Sequence, residues 1–98
     1  MIIGRFCVQC RPDRADEMAA AIAAVQAPSL ALRGVVHFDV ARSLTDPNTF
    51  VVTEVFEDRA ALARQNEQSE VAAVLDLVRA GALTRDMEWS VWEASQVE

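Results

Sequence analysis

The sequence predicts an α+β fold of the ferredoxin-like type, βαββαβ, with a four-stranded antiparallel sheet carrying its helices on one face. Three observations predict it. Strand-like and helix-like apolar periods follow one another in that order along the chain. The two middle strand-like segments are joined by a short polar loop rather than by a helix. The length, 98 residues, suits one such domain, 1–98.

Ile2 to Cys10 alternates and is rich in apolar residues, a first strand. Pro12 ends it, and "RPDRADEM" starts a helix that Asp13 can cap, with Asp16 and Glu17 facing the positive end of the helix dipole. Met18, Ile22 and Val25 form one apolar stripe among alanines of high helix propensity. Pro28 stops that pattern and Gly34 marks entry to the next strand. Val35 to Arg42 and Thr49 to Glu57 are strands joined by "SLTDPN", whose Asp-Pro-Asn supplies turn chemistry. Asp58 can cap a short helix from Arg59 to about Glu67. Ser69 can cap another, with Val71, Val74, Leu75 and Val78 inward and Gly81 placed to end it. The last strand runs from about Thr84 to Ala94 through "MEWSVWEA".

Helices can cover one face of such a sheet, yet neither alternating face of these strands is wholly polar. Val51 and Val55 oppose Phe50, Val52 and Phe56; Val35 and Ala41 oppose Val36, Phe38 and Val40; Trp89 and Trp92 fall on opposite faces. An apolar back face predicts a homodimer whose sheets pack back to back.

Composition narrows the function. There are 15 acidic and 9 basic residues, a net charge of −6 and no lysine, which speaks against nucleic acid as a partner. No basic segment followed by an apolar stretch opens the chain, and no window approaches the ~20 apolar residues of a membrane helix, so a cytoplasmic protein without a membrane partner is expected. Cys7 and Cys10 have CxxC spacing inside a strand, where residues three apart point to opposite faces; they read as packed side chains, and no metal site is expected.

Within the apolar run "FVVTEVF", Glu54 is a single carboxylate. Its meaning depends on register. With Arg42 opposite Phe50, Glu54 faces Phe38; shifted by one residue, it faces His37. The plainer reading is an ion pair or dimer contact with Arg5, Arg42 or His37; unpaired in an apolar pocket, it would have a raised pKa and act as a base.

The stretch "GVVHFDVARSLTDPNTFVVTEVFEDRAALARQ" resembles the central signature of the antibiotic biosynthesis monooxygenase (ABM) family: Gly-Cys-x-x-Tyr-Asp-Val, Asp-Pro-x-x-Phe, a strand with Glu-x-Trp-Glu-Asp, then a helix with Ala-Leu-x-x-His. The opening strand, the Arg-Pro that follows it and the terminal aromatic strand are similar too. The resemblance implies a dimeric α+β barrel of two ferredoxin-like subunits. It also implies a cofactor-independent monooxygenase that oxidises a small phenolic, quinol or polyketide-like aromatic with O2. A non-oxidative isomerase or ligand-binding protein on the same scaffold is the alternative. The chain departs from the pattern at Gln65 and Glu70, where the family often has His; matched to the haem-degrading branch it offers Arg5, Gln65 and about Leu75, and no proximal His.

On this reading His37, the only histidine, is the general base, and Asn66 stabilises the anion formed on the substrate. Gln65, Arg85, Trp89, Phe38 and Glu54 complete the expected substrate site, with Arg85 neutralising an enolate and Trp89 walling a flat ring.

Overall fold

Strand β1 (Ile2–Gln9) lies at the centre of the sheet in the computed structural model, which describes residues 1–98. A 3-10 turn (Pro12–Arg14) leads into α1 (Ala15–Leu30), followed by β2 (Val35–Arg42), β3 (Thr49–Phe56), α2 (Arg59–Asn66), α3 (Ser69–Arg79) and β4 (Glu88–Glu93). The sheet is antiparallel in the order β2-β3-β1-β4, the ferredoxin-like arrangement. α1 packs on β2 and α3, and α2 packs on β3.

Even-numbered residues of β1 and β3 face the helices. Val8, Phe50 and Val52 join Phe38 of β2 and Met18, Ile22 and Val25 of α1 in the main core; Ile2, Phe56 and Ala61 form a second small cluster. The opposite face carries a transverse row, Trp92–Ile3–Val55–His37, one residue from each strand. That face is mixed rather than continuously apolar, because Arg5, Asp39, Thr53 and Ser90 stand among its apolar residues. A bulge between Val35 and His37 adds one residue to β2. Val35 therefore pairs with Phe56 on the helix-covered side, while Val36 is left 48% exposed.

The helix ends correct several expectations. Asp13 does not cap α1: it sits in the 3-10 turn, 3.4 Å from Arg11, and the N-cap position is Arg14. Ser69 is the first residue of α3 rather than its cap, and its hydroxyl donates to Glu70 Oε2. Asp58 does cap α2, accepting from the Ala61 amide at 2.9 Å. Pro28 does not stop α1, which runs one residue short of Ala31. Proline removes one hydrogen bond near the helix end, but Ser29 beyond it is fully buried and reaches Gln68 Oε1 at 3.4 Å, so tertiary contact carries the last turn. β4 begins at Glu88, later than the expected Thr84; Leu83 makes only an isolated bridge to Cys10. Cys10 is in the core and Cys7, also buried, alternates to the other face; both are free thiols.

Gly81 ends α3 at φ 85°, with its amide on the Val78 carbonyl and that of Ala82 on the Leu77 carbonyl, a Schellman closure. Gly34 has a similar φ of 86°, but a side chain there would also meet Ala61 Cβ at 2.7 Å. Its lack of a side chain lets α2 lie against the start of β2. No helix is long and apolar enough to cross a membrane.

These two glycines separate backbone strain from packing. Gly81→Ala meets open space and is expected to cost about 1–2 kcal/mol, the left-handed penalty alone. Gly34→Ala adds an overlap with α2 and should cost at least about 1 kcal/mol more in urea denaturation.

Candidate functional site

Between the helices and the sheet lies a cavity of about 410 Å³, lined by 12 residues of which 9 are hydrophobic. Ile22 and Val25 of α1, Phe38 of β2 and Val74 of α3 are buried in its walls. Trp89 of β4, 43% exposed, stands at its opening beside Phe6, the two rings 5.6 Å apart and tilted by 37°.

The polar lining consists of Glu54, Gln65 and Asn66. Strand register places the first of these. Glu54 pairs with Phe38 on one side and Gly4 on the other, and Gly4 pairs with Val91, so an inner row reads Val91–Gly4–Glu54–Phe38. Of the two registers open to the sequence, the one with Arg42 opposite Phe50 is formed. Gly4 makes room for the carboxylate: a Cβ there would stand 3.0 Å from Glu54 Oε2 and 3.6 Å from the Trp89 ring.

α2 supplies the second group. Ala61 and Gln65 are one helical turn apart and both buried, so capping at Asp58 and close approach at Gly34 aim Gln65 inward. Its Nε2 donates to Glu54 Oε1 at 2.6 Å. Asn66, the last residue of α2, is exposed at the edge of the same cavity.

No ion pair involves Glu54, contrary to the plainer expectation. Arg42 lies over the Phe50 ring, 4.8 Å from its centroid, and reaches Asp16 at 3.5 Å. Arg5 pairs with Thr53 and Ser90 on the other face of the sheet. Glu54 is 3% exposed, and loss of solvation raises its pKa to about 7, with the Gln65 hydrogen bond pulling the other way. Glu54 Oε2 and Gln65 Oε1 are buried without hydrogen-bond partners.

The structure thus brings Phe38, Glu54, Gln65, Asn66 and Trp89 together around one cavity. His37 is not among them. It alternates to the opposite face, opposite Val55, and is exposed. Its neighbour in sequence, Phe38, points into the cavity, and the two-residue period of a strand allows only one of them to do so. Arg85 is exposed in the loop before β4, 4.0 Å from Glu88, and does not line the cavity. Phe6, Met87 and Gly4 belong to the site and were not singled out from the sequence. A glycine inside an otherwise apolar strand was the available signal for Gly4.

Residues 1–77 match the family model described as antibiotic biosynthesis monooxygenase. Solved structures are similar over nearly the whole chain. One is an antibiotic biosynthesis monooxygenase (TM-score 0.85, 19% identity, 98% of this chain and 100% of that one). Rv0793 from Mycobacterium tuberculosis has a TM-score of 0.86 and 21% identity, covering 97% and 95% of the two chains. PA3566 from Pseudomonas aeruginosa has a TM-score of 0.80 and 22% identity, covering 97% and 94%. No curated protein matches the chain significantly.

The raised pKa of Glu54 has a stability consequence. The folded state holds its proton to about pH 7 and the unfolded chain releases it near 4.5, so the folded state binds more protons in between. Stability from this group is complete below 4.5 and falls as pH rises to about 7. Glu54→Gln removes the dependence: between pH 5 and 8 the wild type is expected to lose roughly 2–3 kcal/mol more than the variant in urea denaturation.

Proposed function

The chain belongs to the antibiotic biosynthesis monooxygenase family, and from that premise we propose that it oxidises a small, flat phenolic or polyketide-like aromatic with O2, using Glu54 as the base. The observation that carries the proposal is a carboxylate buried at the base of an apolar cavity, with an amide as its one partner and a pKa of about 7. Such a group is poised to exchange a proton near neutral pH. His37, on the far face of the sheet, has no route to the same proton.

In this reading the substrate enters past Trp89 and Asn66 and lies against Phe38. Ionised Glu54 takes the phenolic proton. The resulting phenolate carries negative charge onto its ring carbon and passes one electron to O2. The radical pair combines as a carbon-bound peroxide, which takes the proton back from Glu54; loss of water from this hydroperoxide leaves a quinone, so that phenol plus O2 becomes quinone plus water. The substrate supplies every electron. Asn66 is placed at the cavity edge to donate to the anion, and the apolar walls exclude water from the charged intermediate. The same proton transfer without oxygen would make the protein an isomerase, and oxygen consumption separates the two.

Two copies are further proposed to pack through the outer faces of their sheets. Trp92 is 50% exposed there and β4 is exposed along its whole length, which leaves Trp92 and the half-buried Ile3 and Val55 beside it for a second copy to cover. His37 then belongs to the interface.

Oxygen uptake with a panel of phenols and quinols is the direct test. At least one should be consumed, with kcat/KM rising with pH to a plateau through about 7 as Glu54 ionises. Glu54→Gln should lower the rate by roughly 10²- to 10⁴-fold, whereas His37→Ala leaves it unchanged. Absence of uptake with every phenol ends the oxygenase reading. In sedimentation at micromolar concentration the protein should run as a dimer, and Trp92→Asp should shift it to the monomer.

A further inference from the structure

We propose that Gln65 is the positioning residue of the site: its amide N–H holds the Glu54 carboxyl by Oε1, stabilises the ionised form and leaves Oε2 as the oxygen that carries the proton. The inference rests on the reading of Glu54 as the base and adds the group that makes it one at neutral pH.

Gln65 is 1% exposed, which is costly for an amide unless it is paired. Its side chain makes one bond, the donation from Nε2 to Glu54 Oε1 at 2.6 Å, and its own Oε1 accepts from nothing in the protein. As placed, the amide offers Glu54 a donor and no acceptor. A donor favours the ionised carboxyl, because a hydrogen bond to a charged acceptor is roughly twice as strong as one to a neutral acceptor. An amide turned end for end would do the opposite, accepting the O–H of the neutral acid. With Oε1 engaged by the N–H, the proton of the neutral acid belongs on Oε2, the oxygen beside Gly4.

No charged group competes for this role. Glu54 pairs with Gly4 and Phe38 in the flanking strands, and α1 and α3 present only apolar side chains to the cavity. The charges of the surrounding elements are engaged elsewhere. Arg14, Arg42, Arg59 and Arg79 pair with Glu17, Asp16, Glu93 and Asp76, and Arg64 donates to the Arg33 carbonyl at 2.8 Å. Glu70 accepts from Ser69, and Arg5, His37, Asp39 and Glu88 lie on the outer face of the sheet. Loss of solvation pushes the Glu54 pKa up, and the Gln65 bond draws it back to about 7. Without that donor the acid would stay protonated at neutral pH and could not take a proton.

The test is a pH titration by NMR of protein carrying 13C in its glutamate carboxyls, with Glu54 assigned through its own backbone. The wild-type carboxyl should titrate near 7, and the Gln65 side-chain amide protons should shift with the same midpoint. Gln65→Met fills a similar volume without a donor and should raise the midpoint by roughly one unit or more, the worth of a hydrogen bond to a charged group. For a consumed phenol, kcat/KM should fall about fivefold at pH 7 and recover by about pH 9 as Glu54 ionises, a recovery that a distorted site would not show. A midpoint unchanged or lowered in Gln65→Met overturns the inference. So does a wild-type Gln65 amide that fails to follow the Glu54 titration, a reading that needs no variant to fold. A raised midpoint without oxygen uptake by any phenol upholds the inference and rejects the oxygenase reading. Uptake with an unmoved midpoint does the reverse.

Discussion

The structure depends on holding one carboxyl group, that of Glu54, inside the covered face of the sheet. A carboxylate removed from water is costly unless compensated, and the compensation here is minimal: one amide donor and no cation. Protonation supplies the rest, which is why its pKa lies near 7 rather than near 4.5. An apolar residue at this position would bury well against Phe38 and cost nothing of the kind. The surroundings are instead arranged around the acid. Gly4 withdraws its side chain from Glu54 Oε2, α2 turns Gln65 inward, and Gly34 lets α2 approach closely enough for that bond to form.

Strand register converts this local feature into a site. In a sheet the facing residues change with every one-residue slip, and here the inner row Val91–Gly4–Glu54–Phe38 puts the acid beneath α2 and at the base of the cavity. The outer row Trp92–Ile3–Val55–His37 takes the histidine away from it. The bulge at the start of β2 matters only beyond His37, where it turns Val35 toward the helices and leaves Val36 outside. Cavity and outer face are thus two readings of one ladder: alternate residues of the same strands line the cavity and the exposed side.

Much of this was legible in the chain. Apolar period two in β1, β2 and β3 and the stripe Met18, Ile22, Val25 in α1 were sufficient for the element order, and the Asp58 cap and Gly81 terminator stand where they were expected. The sequence cues that misled were local ones overridden by tertiary contact. Pro28 reads as a helix stop, but buried Ser29 holds the turn beyond it. Asp13 and Ser69 read as caps, but Asp13 pairs with Arg11 and Ser69 donates to Glu70. Of the residues chosen from the sequence, Phe38, Glu54, Gln65, Asn66 and Trp89 line one cavity, while His37 and Arg85, chosen for their chemistry alone, lie elsewhere.

By itself, the order of residues determined the fold class, because periodicity is a property of each segment and needs no partner to be read. It also determined that the run Phe50 to Phe56 carries one acid in an apolar strand. Only the tertiary structure decided what that acid faces. Register is a relation between strands distant in sequence, and both registers were compatible with the side chains until β1, β2 and β3 were laid together. With the pairing made, Glu54 is a buried acid without a cation, and the imidazole that an alternative register would have set beside it points the other way.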